Sequence, residues 1–152
     1  MHVRTPAMAL RPATEADVDF LLALRKATMG PHMRAAGLPD DDAAHMTRLR
    51  FHWADAQVIL LDGRPAGLFK AFRESDHWYV QQVQVSPAWQ GHGVGARVLA
   101  TLLEQADRDG LPVRLSVLHA NPARRLYERL GFRVVATEGP EYVMQRDARV
   151  DR

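Results

Sequence analysis

The sequence predicts a mixed α+β fold, a mostly antiparallel central sheet flanked by helices in the order β-α-α-β-β-β-α-β-α-β-β. Three observations carry this prediction. Apolar residues recur at helical spacing near the start and again after residue 94, whereas residues 58–85 read as successive strands. Asp62-Gly63 lies between two of those strands as a two-residue hairpin signal. Residues 83–96 then run from a strand through a glycine-rich turn into a helix start. A length of 152 residues with 47% hydrophobic content fits one domain over 1–152, with 147–152 a polar, frayed tail.

Residues 7–12 open with a short strand. Thr14-Glu-Ala-Asp17 supplies a reciprocal cap, and Val18, Leu21, Leu22 and Leu24 give residues 14–29 an amphipathic face. Gly30-Pro31 is expected to end that helix. Asp40-Asp41-Asp42 offers N-caps for a second helix reaching about Trp53. Strands follow at 58–61, 66–73 and 77–85, the last closed by Pro87. Val94, Val98, Leu99, Leu102, Leu103 and Ala106 share one face of a long helix that stops near Gly110. A strand over 113–118, a helix opened by Asn121-Pro122 and closed by Gly131, and a hairpin around Gly139-Pro140 complete the chain.

Composition excludes several function classes. The net charge is +2, and the pI of 9.4 reflects arginines spread along the chain, since only Lys26 and Lys70 are lysines. A dispersed set focuses no field, so no nucleic-acid partner is expected. With no cysteine there is no disulfide, thiolate metal site or cysteine nucleophile. No apolar run approaches a membrane span, and Met1 to Pro6 lack the apolar core of a signal peptide, so the expected location is cytoplasmic. His45 and His52 lack a third ligand at suitable spacing, so no metal site is expected.

The most informative stretch is Gln90-Gly91-His92-Gly93-Val94-Gly95-Ala96. Alternating glycines let the backbone turn N–H groups inward without Cβ interference, and a helix start adds its positive dipole end. Together they suit a pyrophosphate. A tight strand-to-helix turn needs the same glycines, so spacing alone leaves both readings open. Gly91-x-Gly93-x-x-Ala96 formally fits a dinucleotide fingerprint, but the next strand, 113–118, carries no acid for a ribose. A dinucleotide oxidoreductase is therefore the weaker reading.

Gln90-x-x-Gly93-x-Gly95, with its preceding strand and Pro87, resembles the acetyl-CoA motif of the GNAT superfamily of N-acetyltransferases. A second block follows in the right order, Leu115-x-Val117, then Asn121, then Leu126-Tyr127 before Gly131-Phe132. Pro122-Ala123 and Arg124-Arg125 depart from the usual small residue after the asparagine. The resemblance implies a GNAT-like fold, with acetyl-CoA as acetyl donor and no metal. It implies that the backbone of Gly91, His92, Gly93, Val94, Gly95 and Ala96 holds the pyrophosphate, with Gln90 in the motif. It further implies that Val83, Gln84 and Val85 pair with the pantetheine arm and polarise the thioester carbonyl, and that Tyr127 protonates the leaving thiolate. Asn121 either contacts the cofactor arm or caps its helix.

The acceptor is read as a primary amine of a small molecule, peptide or protein, acetylated by direct attack. The family's frequent strand glutamate is absent from His77-Trp-Tyr-Val-Gln81-Gln82-Val-Gln84-Val85. His77 has the most suitable intrinsic pKa for a base, and a water relay through Gln81 or Gln82 is an equal alternative. Alternation places Gln82 and Gln84 on one face of the strand and Tyr79, Gln81 and Val83 on the other. The acids at 40–42 either cap a helix or attract the amine. Trp53, Trp78 and Trp89 read as packing residues. A catalytically weak acyl-CoA-binding module is the alternative function. Exposed edges at the terminal hairpin leave a homodimer open.

Overall fold

The computed structural model describes residues 5–149. Residues 1–4, the start of the segment read for a signal peptide, and 150–152, the end of the expected tail, lie outside the described residues. Of that tail, Asp147 pairs with Arg133 at 3.0 Å, and the Arg149 N–H donates to Asp107 at 2.8 Å.

The predicted element order is the observed one. Strand β1 (Met8–Pro12) leads through a short 3₁₀ turn into helix α1 (Val18–Ala35). The turn is held as the sequence reads: Asp17 accepts the Thr14 N–H and both arms of the Arg11 guanidinium, each at 2.8 Å. Arg11 holds the Asp17 carboxyl far below the usual carboxylate range. The predicted stop at Gly30-Pro31 is wrong, because α1 runs on to Ala35 with Pro31 inside it. Gly30 has no Cβ to meet the proline ring, which relaxes the usual restriction on the residue before proline.

Helix α2 (Asp42–Arg50) starts at Asp41, whose carboxylate accepts the Ala44 N–H. It ends before Trp53, and His52 beyond it takes a left-handed conformation, so His45 and His52 share no helical face. Strands β2 (Ala56–Leu61), β3 (Arg64–Arg73) and β4 (Trp78–Val85) form an antiparallel meander. Asp62 and Gly63 have positive φ values of 50° and 80°, as a primed hairpin turn requires. Then come helix α3 (Val94–Asp109), strand β5 (Val113–Leu118), helix α4 (Arg124–Arg129) and strands β6 (Arg133–Glu138) and β7 (Glu141–Arg146). Helix α4 starts three residues after Asn121, because Asn121 accepts the Ala123 N–H in a turn that precedes the helix.

The seven strands form one sheet in the order β1-β2-β3-β4-β5-β7-β6. On one face the apolar stripe of α3 packs with Ile59, Leu61, Phe69, Val80, Leu115 and Met144. On the other, Leu21, Leu24 and Leu49 of α1 and α2 cover Ala56, Val58 and Leu68. Strand β6 is an exposed edge that carries Val134 and Val135.

Two features of β4 position everything that follows. Its pairing with β5, the one parallel pair, covers only Trp78–Val80 against Val113–Leu115, and beyond that point the strands part. Against β3, Lys70 pairs with Gln82 but Ala71 pairs with Val80, so Gln81 is the extra residue of a bulge. The bulge corrects the predicted alternation. Tyr79, Gln82 and Gln84 face α1 and α2, whereas Val80, Val83 and Val85 join the α3 core.

Lys70, fully buried, lies beside Gln82 and donates to the backbone carbonyls of Arg48, Leu49 and Phe51. Desolvation pushes its pKa down to about 8. The three carbonyls and the α2 C-terminal dipole thus hold a charge that burial opposes. Lys70→Met strands those acceptors and is expected to cost about 2–4 kcal/mol in urea unfolding. A loss below about 1 kcal/mol would show that α2 is anchored by its apolar contacts alone.

Candidate active site

The parting of β4 from β5 opens a cavity of about 580 Å³. Its walls are β4 from Tyr79 to Val85, β5 from Leu115 to Leu118, and residues 121–123 with Tyr127. Arg25, Thr28, Met29, His32 and Met33 of α1, Arg48 of α2, and Glu138 and Glu141 of the terminal hairpin complete it.

The backbone of β4 is divided by its hydrogen bonds. The Ser86 N–H donates to the Ala66 carbonyl of β3. Alternation then turns the backbone of Gln84 toward β3 and the N–H groups of Val83 and Val85 toward the open side. Of the three residues expected to present backbone groups, two do so. Gln84 instead contributes its side chain to the cavity wall. The carbonyl oxygens of the buried Gln82 and Gln84 side chains have no hydrogen-bond donor among the described residues. The Gln82 amide N–H reaches the Arg48 carbonyl at 3.3 Å.

The glycine loop follows at the far end of β4. Gly91 and Gly93 have φ values of 82° and 73°, and a Cβ on either would point into open space. Gly93 caps α3 without a side-chain hydrogen bond, and the first turn carries no acid, so its N–H groups are available to an anion. Gln90 donates to the Val85 carbonyl at 3.0 Å, tying the loop back to the strand and lining the cavity. His92 is exposed, edge-on to Trp89. Val94 is buried in the α3 core, and Ala96 is half-buried in the first turn. A Cβ on Gly95 would meet Leu126 and Val83 at 3.6 and 3.9 Å, so α3, α4 and β4 come together there.

Tyr127 lines the cavity through its place in α4 and packs edge-on to Phe132 at 6.0 Å between ring centroids. Burial pushes its phenol up to about 12, and among the described residues its hydroxyl makes no hydrogen bond. The phenol therefore stays protonated throughout the neutral range. Asn121 lines the same cavity with its carboxamide oxygen engaged by the Ala123 N–H at 2.9 Å.

His77 is placed apart from this group. It lies at the opposite end of β4, in a second cavity of about 440 Å³ with Phe51, Phe72 and Asp76, and its Nδ1 is 2.6 Å from Asp76. Tyr79 and Gln81 line both cavities. The acids at 40–42 are occupied: Asp40 pairs with Arg34, Asp41 caps α2, and Asp42 pairs with Lys26. The tryptophans pack as expected: Trp53 lies under Arg50, Trp78 donates to Asp109, and Trp89 rests against the main core. Sequence reading missed Arg25, Arg48, Glu138 and Glu141. Each is an ordinary helix or strand charge until the fold brings it to the opened strands.

Comparison with known proteins identifies the family. The model of the acetyltransferase (GNAT) family matches residues 22–132. The mycothiol acetyltransferase of Brachybacterium faecium is 34% identical over 128 residues, 78% of this chain. The match spans only 38% of that relative's length. PaiA N-acetyltransferase from Thermoplasma acidophilum, solved with coenzyme A, superposes with a TM-score of 0.72 at 15% identity, covering 93% of this chain and 99% of that one. An acetyltransferase from Thermus thermophilus gives 0.73 at 23% identity, covering 97% and 99%. No helix among the described residues is long and apolar enough to cross a membrane.

Because the Tyr127 hydroxyl has no partner among the described residues, Tyr127→Phe is expected to change unfolding stability by less than about 0.5 kcal/mol. A loss above about 1 kcal/mol in urea unfolding would reveal a structural hydrogen bond to the phenol.

Proposed function

The chain belongs to the acetyltransferase (GNAT) family, and we propose that it transfers an acetyl group from acetyl-CoA to a primary amine by direct attack in the cavity between β4 and β5. One observation carries the reading: the strands part beside a glycine loop whose helix start has no side-chain cap, with a tyrosine in the same cavity whose hydroxyl has no partner among the described residues. The open space at Gly91 and Gly93 fits a pyrophosphate against the backbone. When bound, acetyl-CoA supplies an activated acetyl thioester.

The chain's own residues supply the rest. The N–H groups from Gly91 to Ala96 hold the phosphates at the α3 dipole. The N–H groups of Val83 and Val85, which have no strand partner on the side facing β5, bind the pantetheine arm and stabilise negative charge on the acetyl oxygen. Tyr127 keeps its proton on Oη until the leaving sulfur takes it. Gln82 and Gln84, whose carbonyl oxygens lack donors, hold the water that carries the amine proton away. His77, turned into the other cavity and paired with Asp76, takes no part in that relay.

Thermal unfolding with acetyl-CoA, CoA and NADH in parallel tests the donor. A ligand at about 100 times its Kd stabilises by roughly 2.7 kcal/mol, several degrees for this chain length. Shifts with both CoA species and none with NADH are expected, and no shift at saturating acetyl-CoA would end the reading. Gly93→Val places a branched side chain at φ 73° and is expected to abolish the acetyl-CoA shift. Tyr127→Phe is expected to lower kcat about 100-fold in a CoA-release assay with an accepted amine, with acetyl-CoA affinity unchanged. Unchanged turnover removes the tyrosine from the chemistry.

A further inference from the structure

We infer that Arg25 anchors an acceptor subsite for a carboxylate, so that the amine taken by this cavity is carried on a molecule that also bears a negative charge. The inference rests on the transferase reading and names its acceptor class.

Arg25 stands in the middle of α1, only 3% exposed, and lines the cavity between the parted strands. Among the described residues its Nε is buried without a hydrogen-bond partner, and the guanidinium makes one weak hydrogen bond, from Nη2 to the Met33 sulfur at 4.0 Å. No carboxylate pairs with it among the described residues. The other buried arginine, Arg146, is forked by Asp107, at 2.9 and 3.3 Å. Arg25 instead has Arg48, His45 and Lys70 within electrostatic range, and desolvation together with Arg48 pushes its pKa down to about 10. At neutral pH it remains a buried, repelled and unpaired cation.

Such a charge weakens a fold unless something pairs with it. A guanidinium facing a cavity presents a planar fork that fits a carboxylate through two parallel hydrogen bonds. A single carboxylate matches the one enclosed fork, because the Lys70 ammonium is already spent on three carbonyls and Arg48, which also lines the cavity, is exposed to solvent. Beyond β5, Glu138 and Glu141 line the same cavity, and neither forms an ion pair among the described residues. The cavity thus offers a cation at α1 and carboxylates at the terminal hairpin, complementary to an acceptor carrying both an ammonium and a carboxylate.

The test is thermal unfolding of the CoA-loaded protein with the twenty common amino acids, their carboxamides and phosphoethanolamine, repeated with Arg25→Met. At least one amino acid is expected to shift the midpoint at about tenfold lower concentration than its amide, the discrimination a charged hydrogen bond gives. Arg25→Met is expected to erase that difference while keeping the CoA shift. Without ligand it is expected to melt no lower than the parent, since an unpaired buried charge has been removed. Three results would overturn the assignment: acids and amides that act alike or not at all, phosphoethanolamine acting at lower concentration than every amino acid, or a ligand-free variant several degrees less stable. Failure of the parent to shift with CoA instead sinks the transferase reading, and the acid-against-amide comparison is then decided on the unloaded protein.

Discussion

The short parallel pairing of β4 with β5 is the constraint on which the rest of the site depends. Three residue pairs join the strands, and from Gln81 onward they have no common ladder. Backbone N–H groups on an interior strand are normally consumed by a neighbour, and leaving them unpaired in a buried place is costly. Here the cost is accepted along one slot, and a ligand with an extended, amide-rich arm can replace the missing strand. The bulge at Gln81 does more than loosen the ladder. By adding one residue it puts Gln82 and Gln84 on the α1–α2 side and brings Val83 and Val85 to the α3 side with Val80. The slot therefore has a polar side and an apolar side made from one continuous strand.

The two buried cations on the α1–α2 side have opposite fates. Lys70 finds three carbonyls at the end of α2 and becomes part of the scaffold, fixing that helix end over β3 and β4. Arg25, on the adjoining helix, finds no carbonyl among the described residues. The difference follows from geometry, since a helix C-terminus presents a cluster of acceptors whereas the middle of a helix has spent its own carbonyls. Thus α2 is held by a satisfied charge, and α1 carries its unsatisfied one to the cavity.

Much of this was legible in the sequence because local chemistry fixed it. Asp62-Gly63 could only turn a hairpin, Asp17 could only close the turn before α1, and the apolar stripe of α3 could only face a sheet. The glycine loop and Tyr127 were legible as a pair of motifs in order. What stayed hidden depends on partners distant in sequence. Gly30-Pro31 reads as a stop because the missing Cβ that eases Pro31 into the helix carries no periodic signal. The bulge at Gln81 is set by register against β3, which periodicity cannot supply. Arg25 looks like an ordinary helix cation until burial and the lack of a carboxylate are seen together. His77 drew attention for its intrinsic pKa, yet position along β4 decides which cavity it enters.

The missing acid on β4 and the unpaired Arg25 are two sides of one arrangement. Arg25, Gln82 and Gln84 line the same cavity, all of them buried. A glutamate at either glutamine position would bring a carboxylate into that enclosed space and be drawn to the guanidinium, because opposite charges attract strongly where water is scarce. The result would be an internal ion pair, with a carboxylate held ionised and a cation no longer available to a ligand. Glutamine has nearly the same shape, accepts a hydrogen bond and brings no charge, so it can orient a water while leaving the arginine unpaired. A neutral amide cannot keep a proton, so in the proposed reaction the amine proton passes on through water toward solvent. On the proposed reading, a site built this way gives up a carboxylate base on the strand and keeps a full positive charge for its acceptor.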